Sequence, residues 1–263
     1  MKIELKGVQE TLLIPLAARA FETKSKNPRI KDVKAVEMVS KIEYDFSKFD
    51  RKMSKEGVIA RTMILDRETQ KFVNEYPDVV CISIGCGLDT RYYRIRYNQV
   101  QWYNIDFPEV IALRKKLIYE NKNVHFIGKS ALDISWNDDI YIEDKKVLII
   151  MEGLLMYFTE PEVIQLFCMI KNHFPNCTIL VEIMHPFIAG CSKQHDTIKH
   201  TDAVFRWGTR SGKAMEKLCE GLHFVKEWNL FDELKSRGVM FRIAGNIPFI
   251  RNKNNKIVKL VLQ

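Results

Sequence analysis

From residue 79 onward, short apolar runs alternate along the chain with longer segments whose apolar residues recur every three or four positions. Side chains alternate across a strand and recur every ~3.6 residues on a helix, so the short runs predict strands and the longer segments predict helices. Seven strands are predicted, at 79–84, 100–105, 124–127, 146–151, 178–183, 224–228 and 257–262. Strands separated by helices favour a doubly wound, mostly parallel α/β sheet.

The first 77 residues carry a helical pattern instead. Helices are predicted at 11–22, at 33–42 after a cap at Asp32, and at 56–73, with an aromatic loop at 44–49. Further helices are expected at 108–119 and 160–174, the latter opened by the capping box of Thr159 and Glu162.

Residues 185–218 break the alternation of strands and helices. The sequence therefore predicts an N-terminal helical extension at 1–77 and a sheet domain at 78–263. Within that domain, 185–218 is expected to be a lid inserted after the fifth strand.

Composition narrows the class of protein. The 263 residues are 46% hydrophobic and 28% charged, which suits a globular chain with a substantial core. No secretory signal or membrane-crossing run is found, and the six cysteines form no C-x-x-C pair, so free thiols and a cytoplasmic location are expected. The net charge of +8 is dispersed without a basic run, and no nucleic-acid partner is predicted.

The candidate chemistry lies where the predicted strands end. The first strand runs into Gly85-Cys86-Gly87, a turn that lets a ligand approach the backbone, and the second ends in Asp106, which can accept hydrogen bonds from ribose hydroxyls. A dinucleotide fingerprint would place a third glycine where Thr90 stands. S-adenosylmethionine has no pyrophosphate and needs only the turn and the acid. A tight turn that binds no ligand is the alternative.

Three further positions fit such a site, and each has a second interpretation. Asp133, beside Leu132, could accept from an adenine amino group or merely cap a helix. Glu152 leaves a buried apolar run, where a carboxylate needs a partner: the cofactor's cationic end or a core arginine. Arg61 shares a predicted helix face with apolar residues and should pair with an anion, unless it reaches out to solvent.

These residues resemble the leucine carboxyl methyltransferase family, especially its bacterial branch of polyketide-type O-methyltransferases. The most specific strings are Gly-x-Gly-x-Asp-Thr-Arg at 85–91 and Glu-Gly-x-x-x-Tyr at 152–157. Other matching segments lie at 11–20, 44–49, 60–62, 104–108 and 132–136. The resemblance implies a class I methyltransferase fold and S-adenosylmethionine as methyl donor.

The resemblance also implies roles for individual residues. The cofactor contacts carried over, together with those of the glycine turn itself, are Arg19, Arg61, Gly85, Gly87, Asp89, Asp106, Leu132, Asp133 and Glu152. Arg61 and Tyr157 would hold an acceptor carboxylate. Many class I methyltransferases carry an acid in the first strand, where this chain has Ser83. Glu152 and backbone carbonyls would therefore have to bind the cofactor's amino group.

The leading hypothesis is O-methylation of a carboxylate on a small molecule, because no histidine stands at a strand end to deprotonate a hydroxyl. Phenolic or hydroxyl O-methylation and a non-catalytic S-adenosylmethionine-binding protein are the alternatives. The sequence contains no signal for an oligomeric state. His185, Cys191, His195 and His200 do not follow a zinc pattern, so no metal site is predicted.

Overall fold

The computed structural model describes residues 11–49, 52–97, 100–190 and 204–263. Its strands are β1 Val79–Ile84, β2 Val100–Asp106, β3 Val124–Gly128, β4 Lys146–Met151, β5 Thr178–Ile183, β6 Leu222–Asn229 and β7 Lys256–Leu262. Its α-helices are α1 Leu13–Thr23, α2 Val33–Lys41, α3 Lys52–Glu75, α4 Arg91–Arg94, α5 Pro108–Leu117, α6 Glu160–His173, α7 Pro186–Ala189, α8 Leu230–Leu234, α9 Val239–Asn246 and α10 Pro248–Asn252.

All seven strands join one sheet in the order β3-β2-β1-β4-β5-β7-β6. The pairs among β1 to β5 are parallel, whereas β7 lies antiparallel between β5 and β6. The predicted doubly wound, mostly parallel α/β fold is confirmed. Its sheet order reverses direction at β1, and the carboxyl ends of β1 and β4 flank this switch point.

Helices cover both faces because the strand side chains alternate. In β1, Val79 and Cys81 belong to a core shared with α1, α2, α3 and α5, whereas Val80 and Ile82 belong to a core shared with α6. The N-terminal helices thus pack directly on the sheet. The division into 1–77 and 78–263 stays a prediction.

The predicted strands agree with the structure within two residues at each end. The capping box of α6 is present, and the Thr159 amide donates to Glu162 Oε2 over 2.7 Å. Helix α3 begins four residues before its predicted start. Helices α8 to α10, between β6 and β7, were not predicted, since they are short and interrupted by Gly238 and Pro248.

The insertion at 185–218 is described in two pieces. Helix α7 lies in the first, and a 3-10 turn, Lys213–Lys217, lies in the second. Residues 191–203 lie outside the described residues. No helix in the described part of the chain is long and apolar enough to cross a membrane.

Candidate active site

The carboxyl ends of β1, β2, β4 and β5 open onto a cavity of about 550 Å³ that α1 and α3 also line. Most of the predicted site residues line it: Arg19, Arg61, Gly85, Gly87, Asp89, Asp106, Glu152 and Tyr157. We call the part formed by Arg61, Asp89, Asp106, Glu152 and Glu182 the polar end. The part formed by Met156, Tyr157, Met184, Ile188 and Phe205 is the apolar end.

The turn after β1 depends on its glycines. Gly85 and Gly87 have φ angles of +66° and +49°, in the left-handed region that side chains disfavour. A Cβ atom on Gly85 would lie 2.7 Å from Leu154 Cδ1, closer than packed atoms approach. Position 85 therefore disfavours any side chain, and its backbone itself lines the cavity.

Asp106, the last residue of β2, is fixed by the same turn. Its Oδ2 accepts from the Gly87 amide over 2.7 Å, and its Oδ1 accepts from the Phe107 amide over 2.8 Å. Burial raises the pKa of Asp106 above its ordinary value, although these backbone amides favour the carboxylate. The side chain lines the cavity with an orientation set by the backbone.

Arg114 of α5 supports the turn from behind, a role that the sequence reasoning missed. It donates from Nη1 to the Gly87 carbonyl over 2.9 Å and from Nη2 to Asn104 Oδ1 over 3.1 Å. The side chain is buried. An arginine among the apolar residues of α5 was the available signal, since buried arginines need partners.

At the polar end, Arg61 bridges two carboxylates. Its Nε donates to Glu152 Oε1 over 2.8 Å, and its Nη1 donates to Glu182 Oε2 over 3.0 Å. Arg91 donates to the other oxygen of Glu152 over 2.7 Å. Burial alone would raise the pKa of Glu152, but Arg61 and Arg91 lower it below its ordinary value. Glu152 is therefore a carboxylate at neutral pH. Its partners are core arginines, which was one of the two interpretations of this residue in the sequence.

Glu182 was also missed. In β5, Ile179, Val181 and Ile183 face the α6 side of the sheet, so Glu182 faces the side of α3 and Arg61. A charged residue inside the apolar run 178–184 was a signal equal to that of Glu152, because burying an unpartnered carboxylate is costly.

A second group of ion pairs connects the N-terminal helices to the glycine turn. Asp89 accepts from Arg91 and Arg94, which also bind Asp66 of α3. Burial would raise the pKa of Asp89, but Arg91 and Arg94 lower it far below its ordinary range. Asp89 thus lines the cavity as part of an internal ion network.

Arg19 is buried and belongs to the same network. Its Nε donates to Asp32 over 2.8 Å, and its Nη2 donates to the Leu88 carbonyl over 2.9 Å. Asp32 caps α2 as predicted, accepting from the Ala35 amide. Two nitrogens of Arg19 therefore tie α1 to α2 and to the glycine turn.

Tyr157 lies in a 3-10 turn after β4, within the apolar end. Its hydroxyl donates to Thr11 Oγ1 over 3.4 Å, and its ring lies 5.7 Å from that of Phe205. Burial raises the pKa of Tyr157, so its hydroxyl keeps its proton at neutral pH. Met156 and Met184 complete an apolar cluster with Phe205.

The second described piece of the insertion contributes to this wall. The Arg206 amide donates to the Met156 carbonyl over 2.7 Å, and the Thr209 amide donates to the Met184 carbonyl over 2.8 Å. These bonds seat Phe205 in the cavity wall. Trp207 instead packs into the core on the α6 face.

Leu132 and Asp133 do not line the cavity. Asp133 is exposed and caps a 3-10 turn, where its Oδ1 accepts from the Ser135 amide over 3.0 Å and from the Ser135 hydroxyl over 2.8 Å. Asp133 therefore acts as a cap, one of its two predicted roles, and its contact with adenine stays a prediction.

Ser83 lies at the floor of the cavity, at the position that many class I methyltransferases fill with an acid. Its hydroxyl accepts from the Trp102 indole N–H over 3.1 Å. Four carboxylates line the same cavity, those of Asp89, Asp106, Glu152 and Glu182.

No group of three or more histidine, cysteine or acidic side chains suited to a metal ion occurs in the described ranges. His185 caps α7, where its Nδ1 accepts from the Phe187 amide. Cys191, His195 and His200 lie outside the described residues.

Known proteins resemble this chain in sequence and in structure. The sequence pattern of the Leucine carboxyl methyltransferase family matches residues 13–171. The Tetracenomycin polyketide synthesis O-methyltransferase TcmP of Streptomyces glaucescens is 30% identical, over 88% of this chain and 86% of its own length.

Two solved structures share the fold. A DUF574 family protein from Streptomyces avermitilis superposes with a TM-score of 0.60 and 12% identity, over 94% of this chain and 97% of its own. Magnesium protoporphyrin IX methyltransferase from Synechocystis, with bound S-adenosylhomocysteine, gives a TM-score of 0.50 and 9% identity, over 80% of this chain and 87% of its own. With the sheet order, they confirm the class I methyltransferase fold. The chain belongs to the leucine carboxyl methyltransferase family and is an S-adenosylmethionine-dependent O-methyltransferase.

Proposed function

We propose that the protein methylates a carboxylate oxygen of a small molecule. The observation that carries this proposal is the make-up of the cavity wall. Its described lining contains no histidine or lysine, and Arg61 holds both Glu152 and Glu182. A carboxylate acceptor is ionised at neutral pH and needs no general base, whereas a phenol with a pKa of about 10 usually does.

The polar end fits the charges of the cofactor. Three arginines and four carboxylates line the cavity, and S-adenosylmethionine carries an ammonium, a carboxylate and a sulfonium. We assign the ammonium to Glu152, whose carboxylate is ionised, and the cofactor carboxylate to Arg61. Arg19 is the second candidate for that carboxylate, because it lines the same cavity.

The adenosine is assigned to the other side of the turn. Asp106 would accept from the ribose hydroxyls, and the bare backbone of Gly85 and Gly87 would allow the close approach that these contacts need. Leu132 and Asp133 would contact adenine. Asp89 would act on the cofactor mainly by holding Arg91 and the turn in place.

When bound, S-adenosylmethionine supplies a methyl group that its positively charged sulfur already activates. The residues of the chain then have to orient the acceptor and keep water out. Arg61 and Tyr157 are near enough for the guanidinium charge to act on the phenol, and we propose that both donate to the acceptor carboxylate. Neither removes a proton, since arginine stays charged and tyrosine is a weak base.

The acceptor enters from the apolar end, where Met156, Met184 and Phe205 would pack against its carbon skeleton. A cavity of about 550 Å³ suits a small molecule. We propose no nucleic-acid or membrane partner, and a cytoplasmic location, where the free thiols of Cys81, Cys86 and Cys177 would stay reduced.

Alkali tests the acceptor oxygen directly. The protein is incubated with a metabolite extract and S-adenosylmethionine labelled on its methyl group, and the labelled product is isolated. We expect mild alkali to release the label as methanol, because the product is a methyl ester. Label that stays on the product through alkaline hydrolysis would reveal a methyl ether and establish the hydroxyl alternative. The same incubation with heat-denatured protein is the control.

A further inference from the structure

Glu182 is a buried carboxylate whose interactions all converge on the polar end. Its side chain is 1% exposed. Oε2 accepts from Arg61 Nη1 over 3.0 Å and from the Gly153 amide over 2.9 Å, and Oε1 accepts from Asn255 Nδ2 over 2.9 Å. Three donors from three parts of the chain therefore hold one carboxylate in a single orientation.

The bond to Arg61 completes a clamp on that guanidinium. Glu152 accepts from the N–H of Nε and Glu182 accepts from one N–H of Nη1, so three of the five N–H groups of Arg61, on Nη1 and Nη2, face no carboxylate of these two and can bind the anionic groups of ligands. Without Glu182, Glu152 would be the one carboxylate among the described residues that pairs with the long Arg61 side chain. A planar guanidinium recognises a carboxylate best when its own direction is fixed.

Asn255 fixes Glu182 in turn. It precedes β7, whose pairing with β5 places Ile257 opposite Glu182. Its amide nitrogen donates to the oxygen of Glu182 that Arg61 does not use. Both residues lie beyond 13–171, the part of the chain that matches the family pattern.

We propose that Glu182, seated by Asn255, is a positioning residue that aims Arg61 at the carboxylate of the cofactor's amino-acid end. The inference rests on the proposed assignment of that carboxylate to Arg61. Glu182 acts through Arg61 and through the Gly153 amide, and does not itself contact the cofactor.

Two ligands distinguish a positioning role of Glu182 from a general effect of this residue on the structure. S-adenosylhomocysteine has the amino-acid end, whereas 5′-methylthioadenosine carries the same adenosine without it. We expect Glu182→Gln to raise the Kd of S-adenosylhomocysteine about tenfold in calorimetry, the usual scale for a charge-assisted contact. The Kd of 5′-methylthioadenosine should stay within about twofold, because the adenosine site near Asp106 is untouched. Glu68→Gln is the matched control, a nearly buried α3 carboxylate that pairs with Arg67 and Lys71 outside the cavity.

A double-mutant cycle tests whether Glu182 acts through Arg61. In an Arg61→Lys background, Glu182→Gln should change the Kd of S-adenosylhomocysteine by less than about twofold, because the clamped group is gone. Asn255→Ala, which removes a neutral donor and keeps both charges, should raise that Kd about threefold in the otherwise native protein, and it decides the matter if Glu182→Gln fails to fold.

The outcomes are distinct. Equal weakening of both ligands by Glu182→Gln or Asn255→Ala, or no weakening of either, would overturn the positioning role. Additive effects of the Arg61 and Glu182 substitutions would overturn it as well. If the native protein binds 5′-methylthioadenosine as tightly as S-adenosylhomocysteine, the assignment of the amino-acid end to Arg61 and Glu152 fails first.

Discussion

The two ends of the cavity are held in place by different kinds of interaction. At the polar end, charged side chains are fixed by two or three bonds each, as Arg61 is by Glu152 and Glu182. At the apolar end, Met156, Met184 and Phe205 meet through packing, and Tyr157 makes one long hydrogen bond, of 3.4 Å. Directed bonds fix a ligand's orientation, whereas an apolar wall mainly sets its size and shape.

The difference fits the proposed assignment of the polar end to the cofactor and of the apolar end to the acceptor. The cofactor is invariant, so a rigid and fully bonded surface suits it. The acceptor is particular to each enzyme, and a wall of thioethers and aromatic rings adapts to a new shape by substitution. The family pattern stops at residue 171; Met184, Ile188 and Phe205 of the apolar end lie beyond it, whereas Glu182 is the one residue of the polar end that does.

The largest expected effect lies at the polar end. Asp106→Ala removes the carboxylate assigned to the ribose and frees the Gly87 amide that it accepts from. We expect the Kd values of S-adenosylmethionine and S-adenosylhomocysteine to rise at least about tenfold, as measured by calorimetry.

Asp144→Ala is the control for this change, because Asp144 is an exposed acid that does not line the cavity. Unchanged binding by the Asp106 variant, with a normal thermal transition, would remove the ribose assignment. An equal loss in the control would point to a non-specific charge effect.

Much of the fold was predictable because strand signals are local. The apolar runs of β1, β4 and β5 are buried on both faces, so their residues identify them without knowledge of their neighbours. The helices between β6 and β7 were not predictable in the same way. Residues 230–252 contain Gly238 and Pro248, and their segments are too short to show a helical period.

The lining of the candidate site was predictable where a single element carries its own signal, either a strand end or the apolar helix face that holds Arg61. Gly85, Asp106 and Glu152 each follow directly from a strand and its turn. Arg114 and Asn255 act through neighbours that pairing and helix packing bring together from distant parts of the chain. Asp133 shows the reverse case, since a local pattern suits both a helix cap and a ligand contact.

A smaller effect should separate two aromatic residues of the predicted lid. Phe205 lines the cavity, whereas Trp207 packs in the α6-side core. We expect Phe205→Leu to change kcat/KM for the acceptor about threefold, with the Kd of S-adenosylhomocysteine constant, because only the apolar wall changes shape. Trp207→Phe should instead lower the free energy of unfolding by about 1–3 kcal/mol and leave acceptor use unchanged. A change in cofactor affinity alone in the Phe205 variant would contradict the proposed division of the cavity.

The smallest expected effect is that of pH on turnover. The pKa of Glu152 lies below its ordinary value and that of Tyr157 lies above it, so these two side chains keep their charge between about pH 6 and pH 9. Asp106, whose pKa burial raises, is assigned to the ribose, so its titration would change cofactor binding rather than kcat at saturating cofactor. We therefore expect kcat with the identified acceptor to be flat across that range.

The carboxylates Glu152 and Asp89 have lowered pKa values in the folded protein, so their contribution to stability is complete above about pH 5 and is lost as the pH falls through those lowered values. Thermal unfolding from about pH 3 to pH 9 separates this acid loss from any effect on the reaction. If kcat instead increases as the pH rises through about 7 to 8, while the unfolding temperature stays constant, a general base takes part in the reaction and a hydroxyl acceptor is favoured.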